Sequence, residues 1–198
     1  MAIFNAPLDV PGHAEHACAA AVRMLEELKR LNEGFAERGM HTLDIGVGIN
    51  TGPAVVGNMG ADIRFDYTAI GDSVNLASRL EGLNKYYGSH ILVSEDTRNQ
   101  VSDGRFIFRE VDRVRVKGKH LPIVMYELMI TNLELLPHFE EGLEKYRAKQ
   151  FVAAQQIFDR LVGDYSDGPS RLYRNRCAEY LETPPPADWD GVYTAKSK

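Results

Sequence analysis

Asp66-Tyr-Thr-Ala-Ile-Gly-Asp-Ser-Val-Asn-Leu-Ala-Ser-Arg-Leu-Glu81 runs from strand-like residues through a Gly-Asp turn into a helical pattern. A helix start presents unpaired backbone N–H groups and the positive end of the helix dipole, which suits an anion such as a phosphate. Within that helix Asn75 and Arg79 stand four residues apart and therefore lie on one face. Arginine brings a planar fork of donors matched to phosphate oxygens, and asparagine can orient a ribose or a reacting oxygen. From spacing alone, a solvated polar helix face fits the same residues equally well.

Working toward the N-terminus, Thr42 to Asn50 alternates with period two, placing Leu43, Ile45, Val47 and Ile49 on one side. The turn Asn50-Thr-Gly-Pro53 leads into Ala54-Val-Val-Gly57, a hairpin signature, and the chain pairs again around Phe65 to Ile70. Residues from about Gly12 to Arg38 carry apolar side chains at helical spacing, with Gly39 as the stop, and Met1 to Phe4 reads as a short strand. Toward the C-terminus the helix of the opening stretch spans about Ser73 to Tyr86. A strand follows at His90 to Ser94, and Ser94 can cap a short helix from Glu95 to Val101. Phe106 to Val116 and Leu121 to Leu128 are two alternating strands joined by Lys117-Gly-Lys-His120. This order predicts an α+β fold, with helices on one face of an antiparallel sheet.

After about Asn132 the texture changes. Leu133 to Lys149, Phe151 to Val162 and Ser170 to Leu181 read as helices without strands. Gly142, Phe151, Ala154 and Phe158 fall where a tetratricopeptide-like helical pair would place them, with Tyr146 one residue off register. A single pair cannot bury its own apolar face, so it must dock on the preceding domain or on a partner. The expected organisation is residues 1–131 as one domain, 132–183 as a helical appendage, and 184–198 as a Pro-rich, loosely ordered tail.

Composition excludes several classes of function. Net charge is −5, against a nucleic-acid-binding domain built on bulk positive charge. Cys18 and Cys177 are far apart in helical patterns, and the six histidines show no ligand spacing, so no disulfide framework or metal site is suggested. No run approaches the roughly 18 apolar residues of a membrane-spanning helix, and the first residues lack the pattern of a secretory signal. A soluble, cytoplasmic chain is expected.

Three elements converge on polyphosphate chemistry: the turn and helix of Thr68 to Arg79, the pair Lys117 and Lys119 around Gly118, and the strand entry from Arg64 to Thr68. The lysine pair alone fits an ordinary solubilised hairpin turn. Taken with Met1-Ala-Ile-Phe4, Ile45-Gly-Val-Gly-Ile-Asn-Thr-Gly52, Val56-Gly-Asn-Met-Gly60 and Val116-Lys-Gly-Lys119, the chain resembles the catalytic domain of class III nucleotidyl cyclases over residues 1 to about 130.

The resemblance implies a ferredoxin-like (βαββαβ-type) sheet lacking its leading strand, and a site formed at a homodimer interface. It implies conversion of ATP to cyclic AMP and pyrophosphate, with Asn75 orienting the ribose and Arg79 stabilising charge on the transferring phosphate. Lys117 matches a lysine on the terminal phosphates, Arg64 corresponds to a further phosphate contact, and Thr68 sits where the purine is read and favours adenine. Two Mg or Mn ions belong to the complete family site, but their Asp ligands precede the position matched by Met1, so no metal ligand is assigned here. The expectation is therefore that this chain has little activity alone, through a start at an internal Met or a shortened chain, and that upstream regions link the parent protein to a sensor or membrane. The alternatives are a guanylate cyclase and a non-catalytic, dimerising regulatory module.

Overall fold

A computed structural model of the chain describes residues 1–61, 64–114 and 122–192, with the side chains of Ala61, Arg64, Phe65 and Val114 outside that description. Contacts divide the chain into two units, Met1–Asn84 with His90–Phe106, and Lys85–Ser89 with Ile107–Lys198.

The first unit opens on helix α1, His13–Glu37, whose Ala14, Cys18 and Ala21 are buried. Small residues at i, i+4 and i+7 let this face approach its neighbours closely. The helix stops at Gly39, where Gly39 N–H bonds Ala36 O at 3.0 Å and Met40 N–H bonds Phe35 O at 2.9 Å. Three short strands follow: β1 at Val47–Ile49, β2 at Val55–Ala61 and β3 at Arg64–Ile70. Helix α2, Asp72–Tyr87, then leads to β4, Ile91–Ser94, whose residues are all buried. The short helix α3, Glu95–Arg98, is capped as expected, with Ser94 Oγ accepting from Thr97 N–H.

The pairing corrects the sequence reading in three places. β1 pairs in parallel with β4, Val47 opposite Ile91, so the sheet is not antiparallel throughout. β2 pairs with β3 along its whole length, from Val55 opposite Ile70 to Ala61 opposite Arg64. The turn at Asn50 to Pro53 therefore does not fold β1 and β2 into a hairpin: the two strands lie in different sheets, β1 beside β4 and β2 beside β3. Met1 to Phe4 is not a strand either; those residues pair with no neighbour, and extended backbone needs one to satisfy its polar groups.

The strand expected from Thr42 also shortens, for a visible reason. Asn32 on α1 accepts from Leu43 N–H at 2.8 Å and donates to Leu43 O at 2.7 Å. A side-chain amide thus takes the two bonds that a neighbouring strand would have made.

In the second unit β5, Ile107–Val114, pairs antiparallel with β6, Ile123–Met129, with an irregularity between Glu110 and Asp112. A turn at Leu133–Leu135 leads to α4, Leu136–Arg147, then α5, Phe151–Tyr165, and α6, Gly168–Glu182. These helices close a core with β6, in which Phe139, Ala154, Phe158, Tyr173 and Cys177 join Met129. Trp189, on the Pro-rich segment after α6, packs on Tyr146 at 5.3 Å between ring centroids and on Tyr180 at 5.2 Å.

Buried charge fastens the helices to β5. Arg109 is 2% exposed, forks onto both oxygens of Asp167 at 3.0 Å, bonds Glu127, and lies 4.4 Å above the Phe139 ring. Asp167 also caps α6 by accepting from Ser170 N–H at 2.9 Å. With both carboxylates in contact, the guanidinium keeps its proton more firmly than usual despite burial, which alone would weaken it.

Candidate functional site

The opening strand-turn-helix forms as the sequence predicts. β3 ends at Ile70, Gly71 adopts φ 144° in a turn that side chains rarely tolerate, and α2 starts at Asp72. The N–H groups of Val74 and Asn75 bond Gly71 O at 3.1 and 3.2 Å, closing the first turn.

Asn75 and Arg79 are both exposed, one turn apart, while Leu76 and Leu80 on the neighbouring face are buried. The helix thus holds its apolar side fixed and presents an amide and a guanidinium to solvent. Thr68 sits on β3 opposite Gly57, half-buried, four residues before α2 begins. Arg64 pairs with Ala61 at the start of β3, and its side chain lies outside the described residues. Lys117 lies outside the described residues as well.

What sets the height of α2 is the glycine pattern of β1. A Cβ on Gly48 would stand 2.2 Å from Ala77 O, 2.2 Å from Glu81 N and 2.9 Å from Glu81 Cα. Strand and helix backbones are therefore in direct contact at that point. A Cβ on Gly46 would meet Asn84 Cβ at 3.0 Å, and one on Gly52 would meet Ser73 Oγ at 2.5 Å. Asn84 is buried at 2% exposure, and its amide donates to Val47 O at 3.0 Å, to Glu81 O at 3.1 Å and to Leu80 O at 3.2 Å. Asn50 Nδ2 donates to Ser73 O at 2.9 Å in the first turn. Each end of α2 in this unit is thus tied to the β1 segment by an asparagine.

The sequence reading quoted these glycines as a motif without their packing role, and it missed Asn84. Two glycines alternating within an apolar strand were the available signal for a close helix approach; nothing in the sequence marked Asn84.

The resemblance implies bound Mg or Mn. Among the described residues no group of three or more His, Cys, Asp or Glu side chains comes together to hold a metal ion. The carboxylates described here therefore do not fit such a site by themselves.

With this geometry in hand, comparison with known proteins is decisive. The family model for the adenylate and guanylate cyclase catalytic domain matches residues 1–130. The chain belongs to this cyclase family. Similar relatives include the terminal-differentiation-specific adenylate cyclase of Dictyostelium discoideum, 34% identical over 195 residues, which cover 92% of this chain and 9% of that protein. Adenylate cyclase 1 of Rhizobium meliloti is 41% identical over 128 residues, covering 65% of this chain and 19% of that protein.

Among solved structures, the adenylyl cyclase CyaB from P. aeruginosa aligns with TM-score 0.57 and 34% identity, covering 65% of this chain and 66% of that one. The guanylyl cyclase Cya2 aligns with TM-score 0.55 and 34% identity, over 63% of this chain and 62% of that one. The cyclase chain spans about a tenth to a fifth of these two curated relatives. No helix among its described residues is long and apolar enough to cross a membrane.

Proposed function

We propose that this cyclase chain carries the substrate-orienting part of an adenylate cyclase catalytic domain that works as a cytoplasmic homodimer, and that the chain by itself has little activity. The supporting observation is the pair Asn75 and Arg79, exposed together on a helix whose opposite face is locked against β1. In the reaction the ribose 3′-oxygen of ATP bonds to the α-phosphorus as the bond to the bridging oxygen of the β-phosphate breaks. Cyclic AMP and pyrophosphate result, and the 3′-hydroxyl proton leaves to solvent. Asn75 orients the ribose, and Arg79 stabilises the charge that grows on the α-phosphoryl oxygens. A guanidinium held in place before the reaction needs no reorganisation as that charge develops. Thr68 reads the purine, and Lys117 and Arg64 hold the terminal phosphates.

The named relatives that are adenylate cyclases favour ATP over GTP. We read the sheet as ferredoxin-like and the helices from residue 132 as a tetratricopeptide-like pair. The second reading is supported by the contact of Gly142 with Phe158, where an added Cβ would lie 2.9 Å from the ring.

The test measures cyclic AMP from ATP and cyclic GMP from GTP with Mg or Mn present, alongside binding of a fluorescent ATP analogue. In protein that carries the complete two-metal site, Arg79→Ala and Asn75→Ala should each lower turnover by about 10²-fold or more, with melting unchanged. Turnover of GTP alone would make the chain a guanylate cyclase. Nucleotide binding without product even in protein that carries the complete two-metal site would make it a regulatory module, and full turnover there by Arg79→Ala would remove the role given to that residue.

A further inference from the structure

After α6, residues 183–192 turn back onto the helices of the second unit. Bonds within the segment close that turn. Trp189 N–H bonds Pro186 O at 3.1 Å, the indole Nε1–H donates to Val192 O at 2.8 Å, and Val192 N–H bonds Asp190 Oδ1 at 3.1 Å. Gly191 makes the reversal at φ 84°. These bonds stay with the segment if it leaves the helices.

The Trp189 ring is its anchor. Tyr146 of α4, Phe151 of α5 and Tyr180 of α6 surround the ring, with centroids 5.3, 5.9 and 5.2 Å away. Lys149, at φ 59° just past the end of α4, donates to Ala187 O at 2.9 Å and to Pro186 O at 3.3 Å. The seat itself is built without the segment. Tyr146 packs edge-on against Tyr173 at 4.9 Å, and Asp112 on β5 ties α6 down. That carboxylate accepts from Arg176 Nη1 at 2.7 Å, from the Tyr173 hydroxyl at 3.2 Å and from the Tyr87 hydroxyl at 2.6 Å. Nor does the groove end at Trp189. From Lys149 and Phe151 an open cleft continues along Gln150, Val152, Gln156 and Leu181, with Val152 57% and Leu181 44% exposed.

We propose that this aromatic seat is a docking site for a segment of a partner protein that presents an aromatic ring between two carboxylates, and that residues 184–192 are its built-in competitor. The occupant's chemistry is read from the segment now in place, three prolines and then Ala187-Asp-Trp-Asp190. The prolines restrict the chain before it docks and so reduce the entropy lost on docking. A fully walled aromatic pocket supplies the anchor, and Lys149 complements the flanking carboxylates. A tethered competitor acts at high effective concentration. The cleft along Val152 and Leu181 gives a longer partner the extra apolar contact needed to displace it.

The experiment titrates a synthetic peptide of residues 184–192 into the intact chain and into Trp189→Ala by calorimetry. Trp189→Leu, which keeps an apolar cover, replaces Trp189→Ala if the latter does not fold. With its own segment released, the variant should bind the peptide at least about tenfold more tightly than the unsubstituted chain. The same peptide with alanine in place of its tryptophan should bind neither. Excess peptide on the unsubstituted chain should raise amide exchange over residues 187–192 by about threefold or more and leave α5 unchanged. Lys149→Met, a change at an exposed side chain, should weaken peptide binding to the released variant by about threefold or more.

No saturable binding to the folded variant overturns the docking site. Equal affinity for variant and unsubstituted chain, or unchanged exchange over 187–192, overturns the competitor. Equal binding of the alanine peptide overturns the anchor. If saturating peptide instead dissociates a dimer of the unsubstituted chain, the seat joins copies of this chain and the partner is overturned.

Discussion

Gly48→Ala is the sharpest probe of how this fold holds its site. The new Cβ would lie 2.2 Å from both Ala77 O and Glu81 N, against an ordinary contact of about 3.4 Å or more. Both opposing atoms are backbone, so no rotamer change relieves them; helix and strand must part by about 1 Å. Overpacking of this kind costs about 1–3 kcal/mol. Separation also stretches the bond from Asn84 Nδ2 to Val47 O, now 3.0 Å, worth about 1 kcal/mol. The sum is about 2–4 kcal/mol, or a melting temperature lower by roughly 4–16 °C for a chain of this size.

Gly82→Ala is the matched control. It lies in the same helix with nothing within 4 Å of its added Cβ, and should raise stability by up to about 1 kcal/mol. Thermal unfolding followed by circular dichroism reads both. Because Asn75 and Arg79 ride on the displaced helix, Gly48→Ala should also weaken turnover, in protein that carries the complete two-metal site, more than its loss of stability accounts for. A melting temperature within about 2 °C of the parent would refute the claim that backbone contact at Gly48 sets the helix.

Two further predictions concern titration and thiol chemistry. Burial alone would raise the Glu110 carboxyl, but hydrogen bonds from Arg147 and Arg113 hold it below its ordinary 4.5. With the folded pKa depressed, its contribution is present above about 4.5 and disappears as pH falls through the folded value. Urea midpoints between pH 6 and 3 should therefore fall less steeply in Glu110→Gln than in the parent, and equal slopes would refute this. Cys18 and Cys177 are buried, and burial pushes both thiols up to about 12. Iodoacetamide at pH 8 should label neither until the chain unfolds, as read by intact mass; prompt labelling of the native chain would sink the prediction.

Local signals carried the sequence reading a long way. Periodicity placed α1 and α2, the hydroxyl of Ser94 marked the cap of α3, and the spacing of Asn75 and Arg79 marked one exposed face. Pairing partners were harder. An alternating strand announces its faces but not its neighbour, so β1 was given to the nearby β2 when its partner β4 lies more than 40 residues away. The ladder of β1 is shortened by Asn32, which in sequence is one polar residue on an amphipathic helix. The network of Tyr87, Asp112 and Arg176 was equally hidden. Charged residues scattered over strands and helices read as solvated, and only their burial against one another shows that they fasten elements together.

Trp189 is the chain's single tryptophan, and its ring is held among Tyr146, Phe151 and Tyr180. Tryptophan emission from this protein therefore speaks for one neighbourhood alone, the end of the helical unit. Amide exchange at Asn75 and Arg79 speaks for the other unit. One unfolding experiment monitored both ways decides whether the parts of this cyclase give way together or in sequence. Coincident transitions would mean that the helices are a condition for a standing site, whereas separated ones would mean that they form a detachable handle.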